Sequence, residues 1–284
     1  MARKNIFELL SEKYDIVKEM NKIAKLFSDI KITATNPLNF QRGIYSIEQI
    51  FEWNCFPKWK QRGPYISCAE MKADLNIPNS FSNNIDDIIR GLEYYVNVLW
   101  MVNAKLNFSC NMNYSYPPAY PMLLENIEIL LEHLNYEEQV FDKEEKVILV
   151  PKNPAATAVA EIADNEHIAF AILKYNHNSL KGNIAEKKSL LLSIANEYEP
   201  LLKKPINGFS DYFSKANGLL NNLNLRHNNL EGKDKCKAVC EMSVEELEKW
   251  YDELYQLLLF CILIKDNVQR KEAIDQLLKK IRQK

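Results

Sequence analysis

From Ser243 towards Ile281 the chain reads as one long helix. Ser243-Val244-Glu245-Glu246 is a capping-box start, and Leu247, Trp250, Leu254, Leu257, Cys261 and Ile264 follow three and four residues apart. A stripe of that length must be covered by other helices. The preceding sequence supplies three amphipathic patterns. The first, from Ala155 to Asn178, carries Val159, Ile162, Ala169, Phe170 and Leu173 on one face; the second, from Ile184 to Tyr198, stops before Pro200. The third, from Phe209 to Leu223, runs through Tyr212, Phe213, Ala216 and Leu220. Four helices with short connections predict a four-helix bundle over residues 155–284. With only 7 glycines in 284 residues, a mainly α protein is the expectation.

The N-terminal part, residues 1–150, reads as mostly helical. Ile6 to Phe27 repeats apolar positions at Phe7, Leu10, Tyr14, Val17 and Ala24, and Ser46 opens a short helix to Trp53. Ile85 to Phe108 carries a stripe of Ile88, Ile89, Leu92, Val96, Leu99 and Val102, and Pro121 to Leu134 is helical again. Around Cys55 to Ile77, Phe56, Trp59 and Tyr65, with Trp53 just before them, interleave with Lys58, Lys60 and Arg62. Such interleaving fits either base stacking or, as the preferred reading, core aromatics beside solvated lysines. Val140 to Val150 breaks the helical habit, with Asp142-Lys143-Glu144-Glu145 between two apolar runs: one small β-hairpin, and a domain boundary close behind it at Pro151 and Pro154.

Several function classes lack their motifs. There is no P-loop, no G-x-G-x-x-G, no H-E-x-x-H and no G-x-S-x-G. Net charge is −2, which gives no general drive towards nucleic acid. Cys236 and Cys240 form a C-x3-C without a second pair, short of the usual zinc spacings, so no metal or other cofactor is expected. No apolar run reaches the ~20 residues of a membrane span. Met1-Ala2-Arg3-Lys4 leads straight into a charged pattern rather than a signal peptide, so the expected location is cytoplasmic.

The densest polar stretch is Asn221-Asn222-Leu223-Asn224-Leu225-Arg226-His227-Asn228-Asn229. If the third helix persists, Asn217, Asn221, Asn224 and Asn228 share a face. Asn is a poor interior helix residue, so the row asks for a reason. Two readings fit. The amides, with Asn229, hold a ligand while Arg226 binds phosphate and His227 moves a proton. Alternatively the stretch is a solvated helix end, where Asn caps and His and Arg favour the dipole. A second cluster, Tyr175-Asn176-His177-Asn178, ends the first bundle helix. His177 shares a face there with Glu166, Phe170 and Leu173. A carboxylate on an apolar stripe needs a partner, and Arg226, His177 or Lys181 could serve.

Tyr175-Asn-His-Asn-Ser-Leu-Lys-Gly-Asn-Ile-Ala-Glu-Lys-Lys-Ser-Leu-Leu, with Glu197-Tyr-Glu-Pro200, resembles segments of bacterial abortive-infection proteins. The Arg226-His227 loop before a long last helix resembles the arrangement in HEPN domains. The likeness covers about Ala155 to Lys284. It implies a four- or five-helix bundle, in many members a metal-independent ribonuclease working as a dimer in phage defence or a toxin–antitoxin pair, and in others a binding module. The family pattern is Arg, a polar residue, then His four to six residues after the Arg. Arg226 and His227 match the first two positions, but Leu230, Glu231 and Gly232 stand where the last His would be.

Two functions are therefore expected as alternatives. One is an RNase with Arg226 on the scissile phosphate, His227 or His177 as the proton carrier, and Asn221, Asn224, Asn228, Asn229, Glu166, Tyr175 and Lys181 around the RNA. The other is a non-catalytic antitoxin, adaptor or defence-complex subunit with a helical interface, expected to be a homodimer.

Overall fold

The computed structural model describes residues 14–37, 40–106, 117–204 and 206–282. The chain is mainly helical and divides into two compact units, Met1–Lys152 and Asn153–Lys284.

In the first unit α1 (Ile16–Asp29) leads into a hairpin, β1 (Lys31–Thr35) antiparallel to β2 (Arg42–Ser46), then α2 (Ile47–Asn54) and α3 (Cys68–Asp74). Next come α4 (Ile85–Leu106), α5 (Ala119–Leu134) and a second hairpin of β3 (Tyr136–Phe141) and β4 (Lys146–Pro151), in register from Tyr136 opposite Pro151 to Phe141 opposite Lys146. The predicted hairpin is thus the second of two. Ser46 caps α2 through a complete capping box with Gln49. The N-terminal part of the first predicted helix, Ile6 to Lys13, and the Asn111 to Tyr116 stretch lie outside the described residues.

Helix α4 organises this unit. Ile88, Leu92, Val98 and Val102 are fully buried, and its polar side chains finish the sheet. Asn97 donates to the Val147 carbonyl at 2.7 Å and accepts the Val147 N–H at 2.8 Å, while Glu93 accepts the Leu149 N–H at 2.8 Å. A helix side chain thereby supplies part of what a third strand would give to the outer edge of β4. Phe56 and Trp59 of the aromatic–basic stretch are buried, and the Trp59 indole donates to the Glu145 carbonyl at 2.6 Å. The core-packing reading of those aromatics therefore holds for these two.

Gly91, on α4, lies close against Phe81 and Met20. A Cβ there would sit 2.4 Å from the Phe81 ring and 3.0 Å from the Met20 methyl. Gly91→Ala should therefore destabilise the unit by about 1–3 kcal/mol, overpacking outweighing the ~1 kcal/mol gain in helix propensity. A urea melt giving a variant more stable than wild type would contradict this packing.

The second unit contains α6 (Pro154–Glu161), α7 (Glu166–Lys174), α8 (Ile184–Glu197), α9 (Glu199–Lys203), α10 (Ser210–Asn222), α11 (Lys237–Cys240) and α12 (Val244–Arg282). The expected first bundle helix is two. Asn165 interrupts it by accepting the His167 N–H at 2.9 Å and starting α7 afresh. Val159, Ile172, Leu191, Ile194, Phe213, Leu220, Tyr251, Leu254 and Cys261 form its core, packed around α12. Ser243 caps α12, accepting the Glu246 N–H at 3.1 Å.

Candidate functional site

The end of α7 and the start of α8 bring ionisable groups onto α12. Tyr175 closes α7, and a short turn over Asn178–Leu180 leads to Gly182. Gly182 holds φ +76°, a conformation that favours glycine, and its N–H meets both Glu248 carboxylate oxygens, at 2.9 and 3.1 Å. Asn183 then caps α8 by accepting the Glu186 N–H. This places Lys187, in the first turns of α8, against two carboxylates of α12. Its ammonium lies 2.8 Å from Glu248 and 2.6 Å from Asp252. Glu248, Asp252 and Tyr255 reach the same place because they sit four and three residues apart along one helix face.

Aromatic rings floor the site. Tyr175 and Tyr255 stack with centroids 4.1 Å apart, and the Lys187 ammonium lies 5.3 Å from the Tyr175 centroid. Tyr175 Oη donates to Asp252 at 3.0 Å, Asn176 donates to Tyr255 Oη at 3.0 Å, and Tyr255 Oη donates to the Ile172 carbonyl at 2.6 Å. Burial pushes both phenols well above the ordinary tyrosine range, and for Tyr175 the Asp252 carboxylate adds to it. Burial works to raise the Glu248 carboxyl too, but the hydrogen bonds from Lys187 and Gly182 outweigh it and hold that group below its usual value. His177 caps the turn: its Nδ1 accepts the Ser179 N–H at 3.2 Å, which in the neutral ring puts the proton on Nε2. Above these residues is a cleft of about 330 Å³ that His177, Lys181, Lys187, Glu248 and Asp252 help to line.

Of the residues singled out from the sequence, Tyr175, His177 and Lys181 meet in this cleft. Glu166 does not: it is exposed in the first turn of α7, at the opposite end from Tyr175, and so is not embedded in an apolar stripe. Arg226 and His227 do not line it either, and as backbone neighbours they have different partners. Arg226 Nη1 donates to Asn217 at 3.1 Å, and Nη2 is buried without a hydrogen-bond partner among the described residues. His227 is half exposed, with Nδ1 4.0 Å from Asp234.

The asparagine row is not a helix face, because α10 ends at Asn222 and Asn224 turns left-handed at φ 55°. Asn229 is the buried hub of the loop that follows. It accepts the Asn224 N–H at 2.8 Å and donates to the Asp234 carbonyl at 3.1 Å. Asn228 accepts the Leu230 N–H at 3.2 Å, Asn221 sits half-buried in the last turn of α10, and Lys188 donates to the Asn224 carbonyl. The Cys240 thiol contacts the carbonyls of Asn229 and Leu230. Among the described residues no group of three or more His, Cys, Asp and Glu is placed to hold a metal ion.

Lys187, Glu248, Asp252 and Tyr255 were missed from sequence. The available signal was two carboxylates one turn apart, followed by a tyrosine, near the start of a long helix. Comparison with known family models, with curated proteins and with solved structures finds no match.

Proposed function

We propose that the second unit is a HEPN-like ribonuclease domain of a phage-defence or toxin system, with its chemistry in the Tyr175–Asp252 cleft rather than on the Arg226–His227 loop. One observation carries this: an imidazole, two ammonium groups and two carboxylates line a single cleft floored by stacked rings. Lys181 and Lys187 hold the scissile phosphate, and His177 donates from Nε2 to one of its oxygens. Asp252, the more exposed of the two carboxylates, takes the proton of the ribose 2′-hydroxyl as that oxygen bonds to phosphorus; the bond to the 5′-oxygen breaks, and that oxygen leaves with a proton from the Lys181 ammonium. Glu248, 15% exposed and held by both Gly182 and Lys187, is the less accessible of the two.

Incubation of the purified chain with RNA in EDTA tests this. Cutting should fall about a hundredfold or more in His177→Ala and Asp252→Asn and stay near wild type in His227→Ala. No cutting by wild type, or equal cutting by all, removes the reading.

A second reading is a non-catalytic interaction protein. It is favoured by the inward turn of Arg226 and by the use of Asn217 and Asn229 in holding the loop rather than a ligand. It survives if the wild-type chain cuts no RNA.

A further inference from the structure

The outer end of α12 carries a face that nothing in its unit covers. From Gln269 to Arg282 every residue is exposed, a length of about 21 Å at 1.5 Å per residue. Yet the segment is not polar throughout: Ile274, Leu277, Leu278 and Ile281 are 55%, 57%, 39% and 57% exposed. They follow one another by three, one and three residues, so they form one stripe. The stripe continues backwards in heptads. Phe260, Asn267, Ile274 and Ile281 recur every seven residues, and Leu263 and Ile264 precede Leu277 and Leu278 by two heptads. Those upstream residues, with Ile206, Phe209 and Val268, line an open apolar groove of about 830 Å³.

We infer that a second copy of this chain covers this face, with the two α12 ends antiparallel, each Ile274–Ile281 stripe lying in the other's groove. Groove and stripe lie on one face of one helix, two heptads apart. A two-fold axis between them therefore pairs Leu263 with the partner's Ile281 and Ile264 with the partner's Leu278, and repeats both contacts in reverse. Charge selects the direction. Lys279, Lys280 and Arg282 make the tip basic. Parallel helices would set the two tips side by side, whereas the antiparallel alignment separates them and places Asp266 opposite the partner's Lys280. Area points the same way. A stable interface takes about 800 Å² from each copy, more than one short stripe offers, and the antiparallel pair uses both stripe and groove of each chain. Asn267, Arg270 and Lys271 interrupt the seam, and the two cations come near their own copies at the axis, which makes the dimer reversible.

The dimer stands whether or not the Tyr175 cleft cuts RNA, since no residue is shared between the two. Sedimentation equilibrium of the full chain over a concentration series should give twice the chain mass at the high end and dissociation on dilution. Ile274→Glu with Leu277→Glu should weaken association about a hundredfold, by burying unpaired carboxylates, without changing the far-UV dichroism, since both positions are exposed in the monomer. Mixed Leu263→Cys and Ile281→Cys chains should cross-link to each other on oxidation beyond the unsubstituted chain's background. A wild-type monomer at every concentration, a dimer indifferent to the glutamates, or Ile281→Cys chains that cross-link chiefly to themselves would each overturn the antiparallel dimer.

Discussion

Replacing Lys187 by methionine is expected to cost the C-terminal unit about 3–5 kcal/mol at neutral pH. The substitution keeps most of a side chain that is only 8% exposed and removes the ammonium that serves both Glu248 and Asp252. Glu248, itself 15% exposed, would then be a buried carboxylate whose remaining support is the Gly182 N–H. The cost depends on pH with a definite sign. In the wild type the Glu248 carboxyl is held below its ordinary value, so its contribution is present above the unfolded pKa of about 4.3 and disappears as pH falls through the folded one. In Lys187→Met the lowering partner is gone and burial dominates, so the carboxyl is raised. The variant then gains relative stability as acid neutralises it. The gap between wild type and variant should therefore narrow from pH 7 towards pH 4 in chemical denaturation. Adding Glu248→Gln to Lys187→Met should restore part of the loss at pH 7, because the unpaired charge is removed. A gap of under 1 kcal/mol, or one that does not change with pH, would show that the lysine is not what keeps Glu248 charged.

The same residues show what could be read from the chain and what could not. Local signals were legible. Ser46 and Ser243 announce their helices because capping acts within three residues, and Val147-Ile148-Leu149-Val150 announces a strand because a continuous apolar run suits a buried one. The first hairpin was hidden. Only Ile32 and Ala34 are buried in β1, and Pro37 and Gly43 both read as loop punctuation, although Pro37 lies in the turn and Gly43 within β2, opposite Ala34. The break between α6 and α7 was hidden too, since apolar spacing runs on through Ile162 to Ile168 although α6 ends at Glu161 and the Asn165 side chain caps a new helix. At the cleft, Tyr175, His177 and Lys181 were visible as a polar cluster at a helix end. Lys187 and Lys188 look alike in sequence, yet one pairs with two carboxylates and the other with the Asn224 carbonyl. That difference is set by the packing of α8 on α12, which no local pattern encodes.

The asparagine loop offers the sharpest separation of a scaffold from a binding row. Asn229→Ala should cost about 3 kcal/mol, while Asn221→Ala and Asn228→Ala should each cost under about 1 kcal/mol. The Asn229 side chain is almost fully buried and pairs with the Asn224 N–H and the Asp234 carbonyl, so its removal leaves two backbone groups without partners. Asn228 supports one exposed N–H, which water can satisfy. Asn224 contributes through its backbone: at φ 55° it occupies a region open to Asn and Gly and hostile to β-branched residues. Asn224→Gly should therefore be nearly neutral, and Asn224→Val destabilising by about 1–3 kcal/mol. Urea titration of the five variants measures all of this. A row of amides built to grip RNA would give the opposite pattern, with stability unchanged throughout and affinity reduced in proportion to the amides removed. If Asn229→Ala unfolds within half of ~1 kcal/mol of wild type, the loop is not held by that residue. Arg226, whose backbone N–H donates to the Leu220 carbonyl at 3.0 Å, would then have to be placed by something other than the amide network.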